Sequence, residues 1–161
     1  MPHLAHVSVL VRDYDEAIAF YSRLGFQLVE DTPIPEQQKR WVTMRPPIFR
    51  TQTIDPKESS PTTPIHEPSA VTHMNHMHSC HCSATTILLA RPSNAEQEKF
   101  IGNQTGERVF LFLATDDFER DFRFFSEAGV EWVRQPKVEA YGKVAVWKDL
   151  YGNLWDLIQH F

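Results

Sequence analysis

The chain has 161 residues, 42% of them hydrophobic, and its 16 basic and 21 acidic side chains leave a net charge of −5. That length fits one domain with an ample core, and the acidic balance argues against a nucleic-acid partner, which would want a basic face, and against an anionic membrane surface. No apolar run approaches the length of a membrane span, no charged stretch leads into a long apolar one as in a signal peptide, and the only cysteines, Cys80 and Cys82, stand too close together for a disulfide framework, so a cytoplasmic protein is expected.

His6 to Val11 (HVSVLV) is a short apolar run with β-branched residues and predicts a strand. Asp13-Tyr-Asp-Glu16 supplies an N-cap acid with a glutamate three residues on. Ala17, Ile18, Tyr21 and Leu24 follow at helical spacing, and Gly25 sits at the C′ position, which predicts a helix over 13–24 with one buried face. Phe26 to Asp31 predicts a second strand. Thr32 to Gln38, with Pro33 and Pro35, reads as a loop, and Arg40 to Arg45 as a third strand closed by Pro46-Pro47.

From Ile48 to Ser83 apolar periodicity is lost, and six of the eleven prolines fall between Pro46 and Pro68. This predicts a long excursion, mostly disordered. Near its end His73, His76, His78, Cys80, His81 and Cys82 fall within ten residues. Imidazole and thiolate suit zinc, copper or nickel, but the spacing matches no standard zinc module. The segment reads as a metal-handling tract, as a solvated loop, or as a flap supplying an accessory metal ligand.

Thr85 to Ala90 returns to strand character. Ser93-Asn-Ala-Glu96 predicts a short helix ended by Gly102 and Gly106. Val109 to Ala114 (VFLFLA) is a strongly apolar strand. Asp116-Asp-Phe-Glu119 caps a helix whose packed stripe is Phe118, Phe122 and Phe125, with Gly129 after it. Val130 to Arg134 predicts a strand and Gln135 to Tyr141 a loop. Val144 to Ile158 (VAVWKDLYGNLWDLI) then reads as strand, tight turn and strand.

The order strand, helix, strand, strand, strand thus occurs twice. A shift of 104 residues lays Asp13 on Asp117, Phe20 on Phe124, Gly25 on Gly129 and His6 on Phe110. Aligning the last strands puts Leu88-Leu89-Ala90 on Asp156-Leu157-Ile158. Duplicated units of this size bury their faces together. In the second copy the last two strands are joined tightly, whereas in the first the same join holds the whole excursion. The chain is therefore one domain over 1–161, with module one at 4–92, an insertion at 48–83, and module two at 107–161. Asp156 stands out because an ionised carboxylate in an apolar strand needs a hydrogen-bonding or positive partner. His6, in the first strand, is one candidate for that partner.

The stretches HVSVLVRD (His6 to Asp13), AIAFYSRLGF (Ala17 to Phe26) and DLYGNLWDLI (Asp149 to Ile158), with their order and duplication, resemble the vicinal oxygen chelate superfamily. That superfamily includes glyoxalase, extradiol dioxygenases and bleomycin-resistance proteins. The resemblance implies an α+β fold of two βαβββ modules forming a cupped mixed sheet, in a homodimer. It also implies a divalent metal ion, such as Zn, Ni, Fe or Mn, held at four positions that here carry His6, Leu88, Phe110 and Asp156. His6 and Asp156 can ligate a metal; Leu88 and Phe110 cannot. On this reading Asp156 doubles as a catalytic base, and Ser8, Leu88, Phe110, Phe112 and Ile158 line a pocket for a small-molecule ligand. The implied function is a metal-dependent lyase or dioxygenase acting on a substrate with adjacent oxygens. The alternative is a non-catalytic protein that sequesters a small aromatic molecule, as bleomycin-resistance members do.

Overall fold

A computed structural model describes residues 2–47 and 85–161. The excursion and its histidine and cysteine residues, His73 to Cys82, lie outside the described residues. The two modules are two separate four-stranded sheets. The first module runs β1 (His6–Leu10), α1 (Tyr14–Arg23), β2 (Gln27–Ile34), β3 (Lys39–Arg45) and β4 (Thr86–Ala90), with spatial order β1-β4-β3-β2. After a short α2 (Ala95–Glu98), the second runs β5 (Val109–Ala114), α3 (Phe118–Glu127), β6 (Glu131–Glu139), β7 (Gly142–Lys148) and β8 (Leu154–His160), ordered β5-β8-β7-β6. In both, the first and last strands pair in parallel and the remaining pairs are antiparallel. No helix among the described residues is long and apolar enough to cross a membrane.

The two main helices are capped alike. The Asp13 carboxylate accepts from the Glu16 N–H at 2.9 Å, and that of Asp117 from the Arg120 N–H at 3.0 Å. Each satisfies a donor the helix itself cannot. Gly25 and Gly129 follow the helices with φ of 80° and 83°, the left-handed conformation that a C′ glycine adopts without strain. The cap of the second helix is thus Asp117 rather than Asp116, and that of α2 is Asn94 rather than Ser93, each one residue later than the sequence pattern suggested.

Two strands run further than expected. β2 continues through Pro33 to Ile34, and β6 through Pro136 to Glu139, so the loops anticipated there shrink to a 3₁₀ turn at Pro35–Gln37 and a hairpin at Ala140–Tyr141. The reason is position. β2 and β6 are edge strands, where a missing N–H removes no bond to a second neighbour.

One buried cluster joins the modules. It takes Val9, Val42 and Leu89 from the first sheet, Tyr21 and Leu24 from α1, Phe118 and Phe125 from α3, and Trp147, Trp155 and Leu157 from the second sheet. The Tyr21 and Phe26 rings lie 6.0 and 5.8 Å from that of Trp155. Phe118 and Phe125 of the α3 stripe are buried, while Phe122 is half-buried and packs on the Trp132 ring at 4.4 Å. The core therefore lies between the helix-facing sides of the two sheets. At its centre Asp149 is 5% exposed and carries the turn between β7 and β8. Its Oδ1 accepts the N–H groups of Tyr151, Gly152 and Asn153 at 2.9–3.0 Å. Its Oδ2 accepts the Tyr21 hydroxyl and the Asn153 amide, both at 2.9 Å. A carboxylate with this many donors tolerates burial, and it ties a turn of module two to the helix of module one.

Candidate functional site

In a strand alternate residues face opposite sides. In β1, Val9 faces the core, so His6, Ser8 and Leu10 face away from it. In β4, Ile87 and Leu89 face the core, so Thr86 and Leu88 share the outer face with them. In β3, Val42 and Met44 are core residues, which leaves Trp41 and Thr43 outward. His6 and Ser8 are exposed, and Trp41 is 36% exposed. The Nδ1 of His6 lies 2.6 Å from the Thr86 hydroxyl oxygen, and its ring meets that of Trp41 edge-on at 5.6 Å. Trp41 precedes Val42, which pairs with Leu89, three residues along β4 from the Thr86 that pairs with His6. The indole therefore reaches along the outer face to meet the imidazole.

The second sheet repeats this plan with other side chains. Phe112 pairs with Asp156, Asp156 with Val146, and Val146 with Arg134, so these four form one row across the outer face. Their neighbours Trp147, Trp155 and Leu157 point into the core. Val146 and Ile158 are buried but stand outside the shared core cluster, as expected for the floor of the other face. Phe112 is 63% exposed. The pairing of Ser8 with Leu88 in the first sheet corresponds to that of Phe112 with Asp156 in the second, as the internal repeat requires. Phe110 is different. A register shift between Val109 and Leu111 places it in a bulge, and it packs against the core cluster.

Asp156 is 7% exposed, and its Oδ1 has no hydrogen-bond partner among the described residues. Burial raises its pKa above the ordinary carboxylate value, while the positive charge of Arg134 and the Ala145 backbone act in the opposite sense. The group answering Asp156 electrostatically is thus Arg134, not His6. Among the described residues no contact joins His6 to Asp156, and strand alternation puts them on the outer faces of different sheets. Between the modules, the linker residue Gln104 grips the free edge of β1. Its side-chain oxygen accepts the Leu10 N–H at 2.7 Å, and its amide donates to the Ser8 carbonyl at 3.1 Å.

A divalent metal needs more donors than these positions supply. Of the four family ligand positions only His6 and Asp156 bear donor atoms, and among the described residues no three His, Cys, Asp or Glu side chains come together. Metal sites of this class use three or more protein ligands. The described residues therefore do not fit a resident ion. Two further hollows, of about 440 and 410 Å³, share Arg91 and Pro92 and are lined by none of the residues of either outer face named above.

The family model for the glyoxalase/bleomycin resistance protein/dioxygenase superfamily matches residues 3–157. The chain belongs to this superfamily. It is 43% identical over 157 residues to an uncharacterized protein of Shewanella frigidimarina, a match covering 97% of this chain and 92% of that one. Among solved structures, UcmS2 superposes with a TM-score of 0.67 at 22% identity, covering 98% of both chains. TnmS3, an antibiotic binding protein from Streptomyces sp. CB03234, gives 0.62 at 23% identity, covering 100% of this chain and 98% of that one. At those identities the two structures speak for the fold of this superfamily member.

Sequence reasoning missed Trp41 and Arg134. The first had a usable signal, since the alternation that buries Val42 and Met44 turns Trp41 outward. The second lay at what read as a strand end, with no pattern marking its face.

Proposed function

We propose that this protein binds a small aromatic molecule without transforming it, in a hollow shared between two copies of the chain. The outer face of module one in one copy would close over the outer face of module two in its partner, and a twofold dimer would hold two such hollows. The observation that carries this reading is that each outer face exposes an aromatic side chain, Trp41 on one and Phe112 on the other. Exposed aromatic surface next to a few placed polar groups is the chemistry of a binding site for flat ligands. The description of TnmS3 as an antibiotic binding protein agrees with this reading. A metal-dependent lyase or dioxygenase would need a third donor, which the described residues do not bring to His6 and Asp156.

Elemental analysis of untagged protein, wild type and His6→Ala, tests this directly. The reading expects no metal that is present in the wild type and lost with His6. Stoichiometric metal that departs in the His6→Ala variant would restore the enzyme in its place.

A further inference from the structure

We infer that one end of the first sheet holds a second binding site, for a small phosphorylated molecule with a neutral, hydroxylated body. It involves neither outer face and does not depend on the function proposed above.

The parallel pair of β1 and β4 ends in two arginines. Leu10 pairs with Ala90, and Arg12 and Arg91 follow them. β3 runs antiparallel beside β4 and begins at Lys39. Three cations therefore stand at one end of three adjacent strands, in the spatial order β1-β4-β3. The two hollows of about 440 and 410 Å³ open there and share Arg91 and Pro92.

The first hollow is lined by Gln37, Gln38, Lys39, Arg91, Pro92 and Ser93, with no acid among them. The carboxylates nearest in the fold are taken up elsewhere, since Asp15 and Asp31 both pair with Arg40. Arg91 is exposed, and its guanidinium makes no hydrogen bond or ion pair with the described residues. Lys39 Nζ donates one proton to the Ser93 hydroxyl and keeps two to give. Two cations, a hydroxyl and two carboxamides thus bring donors to one open hollow. A phosphate monoester carries close to two negative charges at neutral pH and three strong acceptor oxygens, which matches two cations and several donors better than a carboxylate does.

The second hollow differs. There Arg12, Glu98 and Ile101 join Arg91 and Pro92. The Arg12 guanidinium lies over the Tyr151 ring at 5.4 Å. Glu98 is exposed and forms no ion pair with either arginine. It repels a second anion but accepts from a hydroxyl, while Arg12 donates to one. Pro92 and Ile101 offer a small apolar patch for carbon. A hydroxylated, uncharged body attached to the phosphate meets all of these.

Glucose 6-phosphate, inorganic phosphate and glucose, titrated calorimetrically into the full-length protein, test the site. Glucose 6-phosphate is expected to bind more tightly than either of the others. Arg91→Ala should weaken it at least about tenfold, the range for a hydrogen bond to a charged group. Arg123→Ala, which removes an exposed cation from α3, should leave it unchanged. Glu98→Ala should narrow the advantage of glucose 6-phosphate over inorganic phosphate. All three substitutions fall at exposed positions. No binding of glucose 6-phosphate at millimolar concentration, or equal losses in Arg91→Ala and Arg123→Ala, would overturn the site. Equal affinity for glucose 6-phosphate and inorganic phosphate would overturn the class of ligand.

Discussion

Tyr21→Phe removes one atom from the junction between the modules, and its effect can be worked out in advance. The hydroxyl donates to Asp149 Oδ2 at 2.9 Å, across 128 residues of sequence, and the ring is 1% exposed. Burial first, and then the Asp149 charge, push the Tyr21 pKa well above its ordinary value, so the group stays a neutral donor at every working pH. Phenylalanine keeps the ring contacts with Phe26 and Trp155. What is lost is one hydrogen bond to a charged acceptor, about 1.5–3 kcal/mol. Asp149 Oδ2 retains the Asn153 amide, so the carboxylate is not left bare and the lower half of that range applies. For a domain of this size about 2 kcal/mol corresponds to a melting temperature lower by about 4–8 °C. Differential scanning calorimetry of both proteins at pH 7 measures it. A shift under about 1 °C would mean that the bond does not hold the modules together, and the placement of the two outer faces on opposite sides of one core would lose its main polar support.

Asp156→Asn should stabilise the protein at neutral pH. The folded pKa of Asp156 is raised from 3.8 by burial. As pH rises from the unfolded value through the raised folded one, the unfolded chain gives up its proton first, so folding loses stability across that window. Above it the penalty is full and the variant should melt higher. Well below it the two proteins should melt alike, and an equal difference at both ends would contradict this. Gly102→Ala places a Cβ 1.9 Å from the Tyr151 carbonyl oxygen at a φ of +78°, whereas at Gly106, φ +62°, nothing lies within 4 Å. Gly106→Ala should therefore lose only the left-handed strain, about 1–2 kcal/mol, and Gly102→Ala distinctly more by urea denaturation.

The sequence carried the modules well and their arrangement poorly, for a physical reason. Caps, C′ glycines and strand alternation are local, and all of them sit within a residue or two of where the pattern put them. The duplication was legible because equivalent positions keep their neighbours, Ser8 with Leu88 and Phe112 with Asp156. Alternation also tells which residues share a face. It cannot tell which side of the molecule that face is on. That is decided by Tyr21 reaching Asp149 and by aromatic packing around Trp155, contacts made far apart along the chain. So His6 and Asp156 could be read from the sequence as facing one cavity if the modules cup together, whereas the strand pairing puts them on different sheets. Phe110 shows the other limit. A bulge shifts a strand by one residue without leaving a mark in an all-apolar run such as VFLFLA.

Hollows shared between chains are tested most directly by mixing two damaged homodimers. Trp41→Ala damages only the face of module one, and Phe112→Ala only that of module two. After the two are unfolded and refolded together, each mixed dimer should regain one intact hollow, pairing Trp41 of one chain with Phe112 of the other. Calorimetric titration with a flat aromatic, 2-acetonaphthone, should then recover wild-type affinity at a fraction of the sites. A mixture that binds no better than the two variants measured apart would contradict the account.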